Sequence, residues 1–508
     1  MGRGPTARKG VIATGHPLVT AAAAGILRAG GNAFDAALAA GFAAAVAEPM
    51  FTSLGGGGFL LARESTGREV LFDFFVDTPG RGLPEGRLEP HFLPVTVHFP
   101  GSDQVFNIGL GSVAVPGTLR GFLHVHQRLG GLPLAEVTAP AARLAREGVV
   151  LTEHQGYVLE LLTPINTLTQ AGRALYAPRG RILEVGERLT NPQLADFLEA
   201  LPKGGGRDLY VGSLAGRIAR EMREGQGLLS EADLEHYRVI EREPLALDYR
   251  GHRLLTNPPP SYGGSLIALS LRLLAPGEPG RHSWGSPAHL CQLAALMVEV
   301  ERLRESGDGH ALRLPDERVS EAAGRVRRAA GGTTHISVSD AAGNAASMTL
   351  SNGEGSGYFV PGTGIALNNM LGEDDLHPEG FHASPAGDRV SSMMSPSLVL
   401  RDGAVELIVG SGGSKRIRTA LLQVISDAVD FGMSVREAVE APRIHWDGEC
   451  VQVEPGFPSE SLAALQAGWR LNAWSERNLY FGGVHAVGPQ AGEGAGDPRR
   501  GGCAAVVD

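Results

Sequence analysis

The chain has 508 residues, 43% of them hydrophobic and 20% charged, a composition typical of a globular protein with a substantial core. A formal net charge of −10 without long runs of one sign argues against a nucleic-acid-binding surface. The three cysteines fit no metal motif, and because we find neither a signal peptide nor an apolar stretch long enough to span a membrane, we expect a cytoplasmic protein.

Two alanine-rich helices are predicted at the start of the chain. Pro17 suits the first position of a helix, and the glycine pair that begins at Gly30 would end it. Asn32 can cap a second helix that runs to about Ala47. The N-terminal region is therefore expected to form a helical pair.

The region that follows combines a few strands with many helices. A glycine run at residues 55–58 leads into a strand, and a second strand is predicted over residues 69–75. Residues 79–107 are rich in proline, glycine and histidine, so we expect a loop there. Helical patterns dominate residues 118–238, and a further helix is predicted over residues 286–305.

The pattern changes after this helix. Residues 306–332 show little apolar periodicity and are interpreted as an exposed, mobile linker. A hairpin follows, with strands of alternating polarity at residues 335–339 and 345–350. A second hairpin at residues 397–409 and a helix at residues 415–431 complete a pattern that predicts an α+β fold.

Thr333, which follows the linker, could serve as a nucleophile. A threonine hydroxyl needs an adjacent base, and a free α-amine, which titrates at about 7.7–8.0, can be that base. The peptide bond between Gly332 and Thr333 would first have to be cut, and the glycine would hinder attack on that bond very little. Taken alone, this segment is more typical of a turn that leads into a strand.

A glycine-rich segment at residues 410–414 lies between a predicted strand and a predicted helix. The N–H groups around Gly412 and Gly413 are unobstructed by side chains and close to a positive helix end, so they would suit an oxyanion. A turn shaped by packing alone is an equally good interpretation. The sequence has no phosphate-binding loop, nucleophile elbow or zinc-binding helix motif.

Several other polar clusters could orient a nucleophile or bind a substrate. Hydroxyl and amide groups end the returning strand of the first hairpin, two acids could pair with a substrate ammonium, and a serine pair could bind a carboxylate. Each cluster is locally more typical of an ordinary turn or a solvated loop. The candidates are Thr349, Asn352, Glu373, Asp374, Ser391 and Ser392.

Taken together and in this order, the motifs resemble those of the gamma-glutamyltranspeptidase family, within the N-terminal-nucleophile hydrolase superfamily. The match covers most of the chain, and although no single piece decides it, the ordered set is highly specific. Besides residues 333–335, the matching blocks are residues 16–36, 48–49, 53–59, 115–118, 258–264, 343–344, 367–369, 441–443 and 497–499.

The resemblance implies a four-layer αββα sandwich and a precursor that cuts itself. The products would be a large chain of residues 1–332 and a small catalytic chain of residues 333–508, which stay together as parts of one fold. No metal or organic cofactor is implied, because the chemistry needs only the threonine, its amine and backbone donors.

By the same resemblance, Thr333 is the nucleophile and Thr349 is a second threonine hydrogen-bonded to it. Gly412 and Gly413 match the oxyanion glycines. The residues near the family's substrate-binding positions are Asn352, Ser391 and Ser392.

Two positions depart from the family pattern. The family usually has an arginine that binds the α-carboxylate of the glutamyl group where this sequence has Phe75, and an apolar ring cannot replace a bidentate guanidinium. Met370 stands where relatives often have a polar residue that helps to bind the α-amino group, and Glu373 or Asp374 could serve that end of the substrate.

Three functions stay open at this point. The first is cleavage of γ-glutamyl amides such as glutathione through an acyl-enzyme, with water or an amino acid as acceptor. The second is an amidase or acylase that acts on a non-glutamyl amide, which Phe75 favours. The third is an uncleaved relative that only binds a ligand, although such a protein would not need the nucleophile and the oxyanion glycines together.

Overall fold

The computed structural model describes residues 8–83, 91–99, 102–305, 332–373, 376–377, 380–381 and 383–508. The predicted linker lies outside these residues except for Gly332, and so does Asp374.

The helices within these ranges include none that is long and apolar enough to cross a membrane. They are α1 (Pro17–Arg28), α2 (Ala33–Ala47), α3 (Thr118–Leu129), α4 (Leu134–Glu147), α5 (Glu153–Leu161), α6 (Thr163–Asn166), α7 (Gln170–Tyr176), α8 (Pro192–Ala200), α9 (Ser213–Glu224), α10 (Glu231–His236), α11 (Tyr262–Leu274), α12 (Pro287–Glu305), α13 (Arg416–Asp430), α14 (Val435–Glu440) and α15 (Ser459–Gly468).

The strands are β1 (Gly10–Thr14), β2 (Gly57–Arg63), β3 (Glu69–Phe74), β4 (Leu93–Phe99), β5 (Ser102–Ile108), β6 (Val149–Val150), β7 (Arg188–Leu189), β8 (Ile240–Arg242), β9 (Leu245–Tyr249), β10 (His252–Thr256), β11 (Thr333–Asp340), β12 (Ala345–Ser351), β13 (Phe359–Val360), β14 (Ile365–Ala366), β15 (Ser397–Arg401), β16 (Ala404–Gly412), β17 (Ile444–Trp446), β18 (Val451–Val453), β19 (Leu471–Ala473), β20 (Gly483–Gly488), β21 (Glu493–Gly496) and β22 (Cys503–Val507).

Two antiparallel sheets form the centre of the molecule. The first has seven strands in the order β22-β1-β11-β12-β2-β3-β8, and the second has six in the order β21-β20-β16-β15-β10-β9. Helices α1 and α2 cover the outer face of the first sheet, and helices α11 and α13 cover that of the second. These layers are the predicted four-layer αββα sandwich.

Successive side chains of strand β11 face different layers of the sandwich. Ile336 and Val338 belong to the apolar core between the first sheet and α2. Ser337 points the other way, and its hydroxyl donates to the carbonyl of Ile408 in the second sheet at 3.2 Å. Because side chains alternate along a strand, Thr333 shares the inner face with Ser337, between the two sheets.

Helix α2 is a core helix and begins where the sequence predicts. The Asn32 side chain accepts from the N–H groups of Phe34 and Asp35, and Asp35 accepts from the Asn32 N–H, which completes a capping box. Every residue of α2 is buried. The helix therefore carries Glu48, the residue at its C-terminal cap, into the interior beside β11.

The loop predicted over residues 79–107 is wrong in part. Strands β4 and β5 pair there as an antiparallel hairpin. Val97, Phe106 and Ile108 are buried in a small apolar cluster with α5. The loop was predicted because the segment is rich in proline and histidine. The strands form because its alternating apolar side chains are buried.

Candidate active site

Thr333 is the first residue of β11 and is only 5% exposed. Its hydroxyl donates to the Ser351 hydroxyl at a distance of 3.4 Å. The Ser351 hydroxyl in turn donates to the carbonyl oxygen of Gly332 at 2.6 Å and accepts from the N–H of Gly353 at 3.1 Å. Ser351 thus bridges the candidate nucleophile and the carbonyl that this nucleophile would attack.

The expected contact between Thr349 and Thr333 is absent, because the β11–β12 register places Ser351 opposite Thr333 and Thr349 opposite His335. The Thr349 hydroxyl shares a hydrogen bond of 2.8 Å with Nδ1 of His335. Burial holds the pKa of His335 well below its usual value, so this imidazole is neutral. Thr349 therefore supports a buried histidine rather than the nucleophile.

Sequence reasoning placed Ser351 in the polar cluster at the end of this strand but chose Thr349 as the second hydroxyl, although the predicted hairpin contained the signal for Ser351. The predicted strands end at residue 339 and resume at residue 345, so the turn centres on residue 342 and Thr333 pairs with residue 351. Thr349 was chosen by residue type alone, and it lies two positions before the residue that pairs with Thr333.

Gly332 leaves no room for a side chain. A β-carbon on it would overlap the carbonyl oxygen of Gly353 and lie 2.8 Å from that of Met50. Its N–H donates to Oε1 of Glu354 at 3.1 Å. The peptide bond before Thr333 is thereby held on both sides, by Ser351 at the carbonyl and by Glu354 at the preceding N–H.

Gly412 and Gly413 lie where β16 gives way to the turn before α13. The strand extends through Gly412, three residues further than predicted, and a β-carbon on Gly412 would overlap the carbonyl oxygen of Thr333. Gly413 has a φ of 124°, which favours glycine. Gly412 is thus next to the candidate nucleophile, and Gly413 follows it in the turn, beside Gly482 and Arg500.

Two buried charged residues that sequence reasoning did not select complete the surroundings of β11. Nη1 of Arg500 donates to the carbonyl of Thr333 at 3.1 Å, and the hydroxyl of Thr334 donates to Oε1 of Glu48 at 3.0 Å. Burial raises the pKa of Glu48 to about 7, opposed by its hydrogen bond from Thr334 and by Arg500. The signals in the sequence were that Glu48 belongs to the matching block at residues 48–49 and that Arg500 directly follows the block at residues 497–499.

A small, partly open pocket lies beside the Thr333 side chain. Most of its wall is apolar, and among the lining residues that the structure describes the single charged one is Glu373. The lining residues are Phe75, Thr333, Ser351, Met370, Glu373, Leu376, Ser392, Met393, Met394, Ser414 and Ile417.

Among the predicted substrate-binding residues, Glu373 and Ser392 line this pocket, whereas Ser391 and Asn352 do not. The Ser391 hydroxyl donates to the carbonyl of Leu376 at 2.8 Å. Asn352 is buried, with its backbone N–H donating to the carbonyl of Phe51 at 3.3 Å.

Phe75 closes one side of the pocket and stacks on Phe59, with ring centroids 5.4 Å apart. The nearby guanidinium of Arg389 donates to the carbonyl of Phe75 and forms ion pairs with Asp73 and Asp77 at 3.0 and 2.9 Å. Arg389 is therefore engaged behind Phe75 and does not supply a cation to the pocket wall.

Metal binding has no support in the described ranges, where no group of three or more His, Cys, Asp or Glu side chains could hold an ion. The arrangement instead offers a hydroxyl at a strand end, a second hydroxyl that bridges it to a carbonyl, and backbone donors beside it. These are the parts that acyl transfer by a threonine requires.

Comparisons with known proteins agree with this geometry. A sequence profile described as Gamma-glutamyltranspeptidase matches residues 19–507. The chain is 34% identical to the Acylase ACY 1 proenzyme of Pseudomonas sp. (strain SE83), over 94% of this chain and 89% of that protein. It is 31% identical to the Glutathione hydrolase proenzyme of Escherichia coli (strain K12), over 97% of this chain and 91% of that protein.

Among solved structures, the cephalosporin acylase from Bacillus halodurans superimposes with a TM-score of 0.80. The sequences are 26% identical, and the match covers 99% of this chain and 97% of the acylase. Motifs, fold, site and relatives agree, and the chain belongs to the gamma-glutamyltranspeptidase family.

Proposed function

We propose that this protein is a self-cleaving N-terminal threonine hydrolase that acts as an acylase, on amides whose acyl group lacks an α-carboxylate. The observation that carries the proposal is the position of Thr333, which faces Ser351 and opens into a largely apolar pocket. Family membership supports hydrolase and acyltransferase chemistry in general, and the pocket wall supports this choice of substrate.

Self-cleavage begins when Oγ1 of Thr333 attacks the carbonyl carbon of Gly332. The Ser351 hydroxyl accepts the proton of the Thr333 hydroxyl and passes its own proton to the Gly332 carbonyl oxygen, to which it already donates, so that little charge develops there. That proton then moves to the nitrogen of the scissile bond. The C–N bond breaks, and an ester joins Gly332 to the Thr333 oxygen. Water hydrolyses the ester, which leaves a carboxylate on Gly332 and a free amine and hydroxyl on Thr333.

The two products would remain together because they share the first sheet. Strand β11 of the small chain lies between β1 of the large chain and β12, and β12 pairs with β2 of the large chain. Separation would break both ladders of backbone hydrogen bonds.

In turnover, the new amine of Thr333 takes the proton of its own hydroxyl, and Oγ1 attacks the substrate amide. Backbone N–H groups at Gly412 and Gly413 stabilise the oxyanion, while Arg500 holds the Thr333 carbonyl in place. The amine part of the substrate leaves with a proton. Water or an amino acid then takes the acyl group from Thr333.

The pocket supports an apolar acyl group better than a glutamyl group. Phe75, Met370 and Met393 offer dispersion and burial, whereas a buried α-carboxylate without a partner is costly. Glu373 and Ser392 would bind a polar or cationic end of the acyl group.

Cleavage of γ-glutamyl amides such as glutathione is the second candidate. The 31% identity to the Escherichia coli Glutathione hydrolase proenzyme supports it, as does Glu373, which could bind an α-ammonium. Against it stands Phe75, because it occupies the place of the family's carboxylate-binding arginine.

Two measurements, made one after the other, test the proposal. Intact mass and N-terminal sequencing of the purified protein should find two chains, the smaller beginning Thr-Thr-His-Ile. The cleaved protein should then hydrolyse simple apolar acyl anilides faster than γ-glutamyl anilide. The reverse preference would establish the second candidate, and a chain that stays intact after long incubation would favour a protein that only binds a ligand.

A further inference from the structure

Glu354 is a buried acid for which the proposed chemistry has so far no use. It is 5% exposed, and its Oε1 accepts the N–H of Gly332, the residue just before the bond that is cut. In the uncut chain this contact helps to orient the scissile peptide, together with the Ser351 hydroxyl on the Gly332 carbonyl.

Cleavage changes the charge at this point. Gly332 loses a neutral peptide carbonyl and gains a C-terminal carboxylate, whose carbon is about 2.5 Å from the nitrogen that Glu354 binds. The new anion would therefore lie on the order of 5 Å from the Glu354 carboxylate, in a site largely shielded from water.

Few groups near the new carboxylate could stabilise its negative charge. Gly332 is confined by the carbonyl oxygens of Gly353 and Met50, and a second acid, Glu373, borders Gly353 on its other side. Two cations also face the site, Arg500 and the new Thr333 amine, but Arg500 already donates to the Thr333 carbonyl. Burial and Arg416 lower the pKa of Arg500 to about 10, and the carboxylates of Asp497, Glu48 and Glu354 oppose that shift.

We propose that Glu354 is a positioning residue with two successive tasks: it holds Gly332 for self-cleavage, and it then expels the newly formed Gly332 carboxylate by charge repulsion. Expulsion frees the Ser351 hydroxyl, which lines the substrate pocket. The proposal rests on the self-cleavage described above and adds the step that clears the site for its first substrate.

Accessibility of the new C-terminus tests the proposal directly. Glu354→Gln keeps an oxygen that can accept the Gly332 N–H but removes the acidic group, and Glu460→Gln, at an exposed position of α15, is the matched control. After intact mass has established cleavage, carboxypeptidase should trim Gly332 from the parent and from Glu460→Gln at least tenfold faster than from Glu354→Gln. Equal rates in the three proteins, or slow trimming of the parent, would overturn the role of Glu354.

A second measurement needs only the cleaved parent, in case Glu354→Gln does not process itself. The tripeptide Ala-Gly-Gly, which matches the end of the large chain, is compared as free acid and as carboxamide in inhibition of anilide hydrolysis. The carboxamide should inhibit at least tenfold more strongly, because it brings no second anion to Glu354. Equal or stronger inhibition by the acid would show that Arg500 and the amine dominate, and would overturn the proposal. An uncut parent chain would count against the proposed function instead.

Discussion

The hydroxyl of Ser351 lies 2.6 Å from the carbonyl oxygen of Gly332 and donates a hydrogen bond to it. The same hydroxyl accepts from Thr333, so one side chain contacts both the attacking group and the group to be attacked. This contact distinguishes the bond between Gly332 and Thr333 from an ordinary peptide bond at a strand start.

Thr333→Ala should abolish both self-cleavage and amidase activity, because it removes the hydroxyl that both reactions use. Thr333→Ser keeps a hydroxyl and should retain some of each. Intact mass and anilide hydrolysis measure the two effects. Normal turnover by the alanine variant would remove Thr333 from the mechanism.

Ser351→Ala should slow self-cleavage by roughly 10²–10³-fold, the usual cost of losing one donor to a developing oxyanion. The matched control is Thr349→Val, two residues earlier on the same face of β12. It should cleave at nearly the parental rate but lose about 1–3 kcal/mol of unfolding free energy, because Nδ1 of His335 loses its partner. Time courses of intact mass and denaturant unfolding would measure both, and slower cleavage in the Thr349 variant alone would reverse the assignment.

Gly332→Ala should slow self-cleavage at least tenfold. The added methyl group would overlap the Gly353 carbonyl and approach that of Met50, so the scissile peptide must move away from Ser351. Gly25→Ala, at an open position within α1, serves as the control and should cleave normally. Cleavage of the Gly332 variant at the parental rate would show that this close packing is not required.

Glu48 should make stability depend on pH. Its pKa is about 7 in the folded protein against 4.5 as the ordinary value, so the folded state binds more protons between these pH values. The contribution of Glu48 to stability is therefore fully present below pH 4.5 and is lost as pH rises through 7. Relative to Glu48→Gln, the parent should lose about 3 kcal/mol of unfolding free energy between pH 4.5 and pH 8. Denaturant titrations at the two pH values check this, and parallel pH profiles for the two proteins would contradict it.

Phe75→Arg should shift specificity toward γ-glutamyl anilide. A guanidinium that hydrogen-bonds an α-carboxylate contributes about 1.5–3 kcal/mol, so the ratio of kcat/KM for γ-glutamyl over apolar acyl anilides should rise roughly 10- to 100-fold. Phe75→Leu, which changes shape without adding charge, should leave this ratio nearly unchanged. An unaltered ratio in the arginine variant would show that Phe75 does not control recognition of the carboxylate.

Local sequence signals predicted the elements near the site well. The cap at Asn32 and the hairpin after Thr333 rest on interactions between residues close in the chain, and both are present. Residues that approach from far along the sequence were not predictable in this way. Arg500 reaches Thr333 across 167 positions, and Glu48 reaches Thr334 across 286, through contacts that only the packed sheets create.

The first and last strands of the structure are neighbours, since Gly10 pairs with Val507 in the ladder between β1 and β22. A short linker could therefore join Val507 to Gly10, and a new start could be placed at Thr333 without altering strand order. Once its initiator methionine is removed, such a circular permutant would carry the nucleophilic amine without any cleavage between Gly332 and Thr333. The strand pairing of this fold would therefore allow the formation of the nucleophile to be studied separately from its use in catalysis.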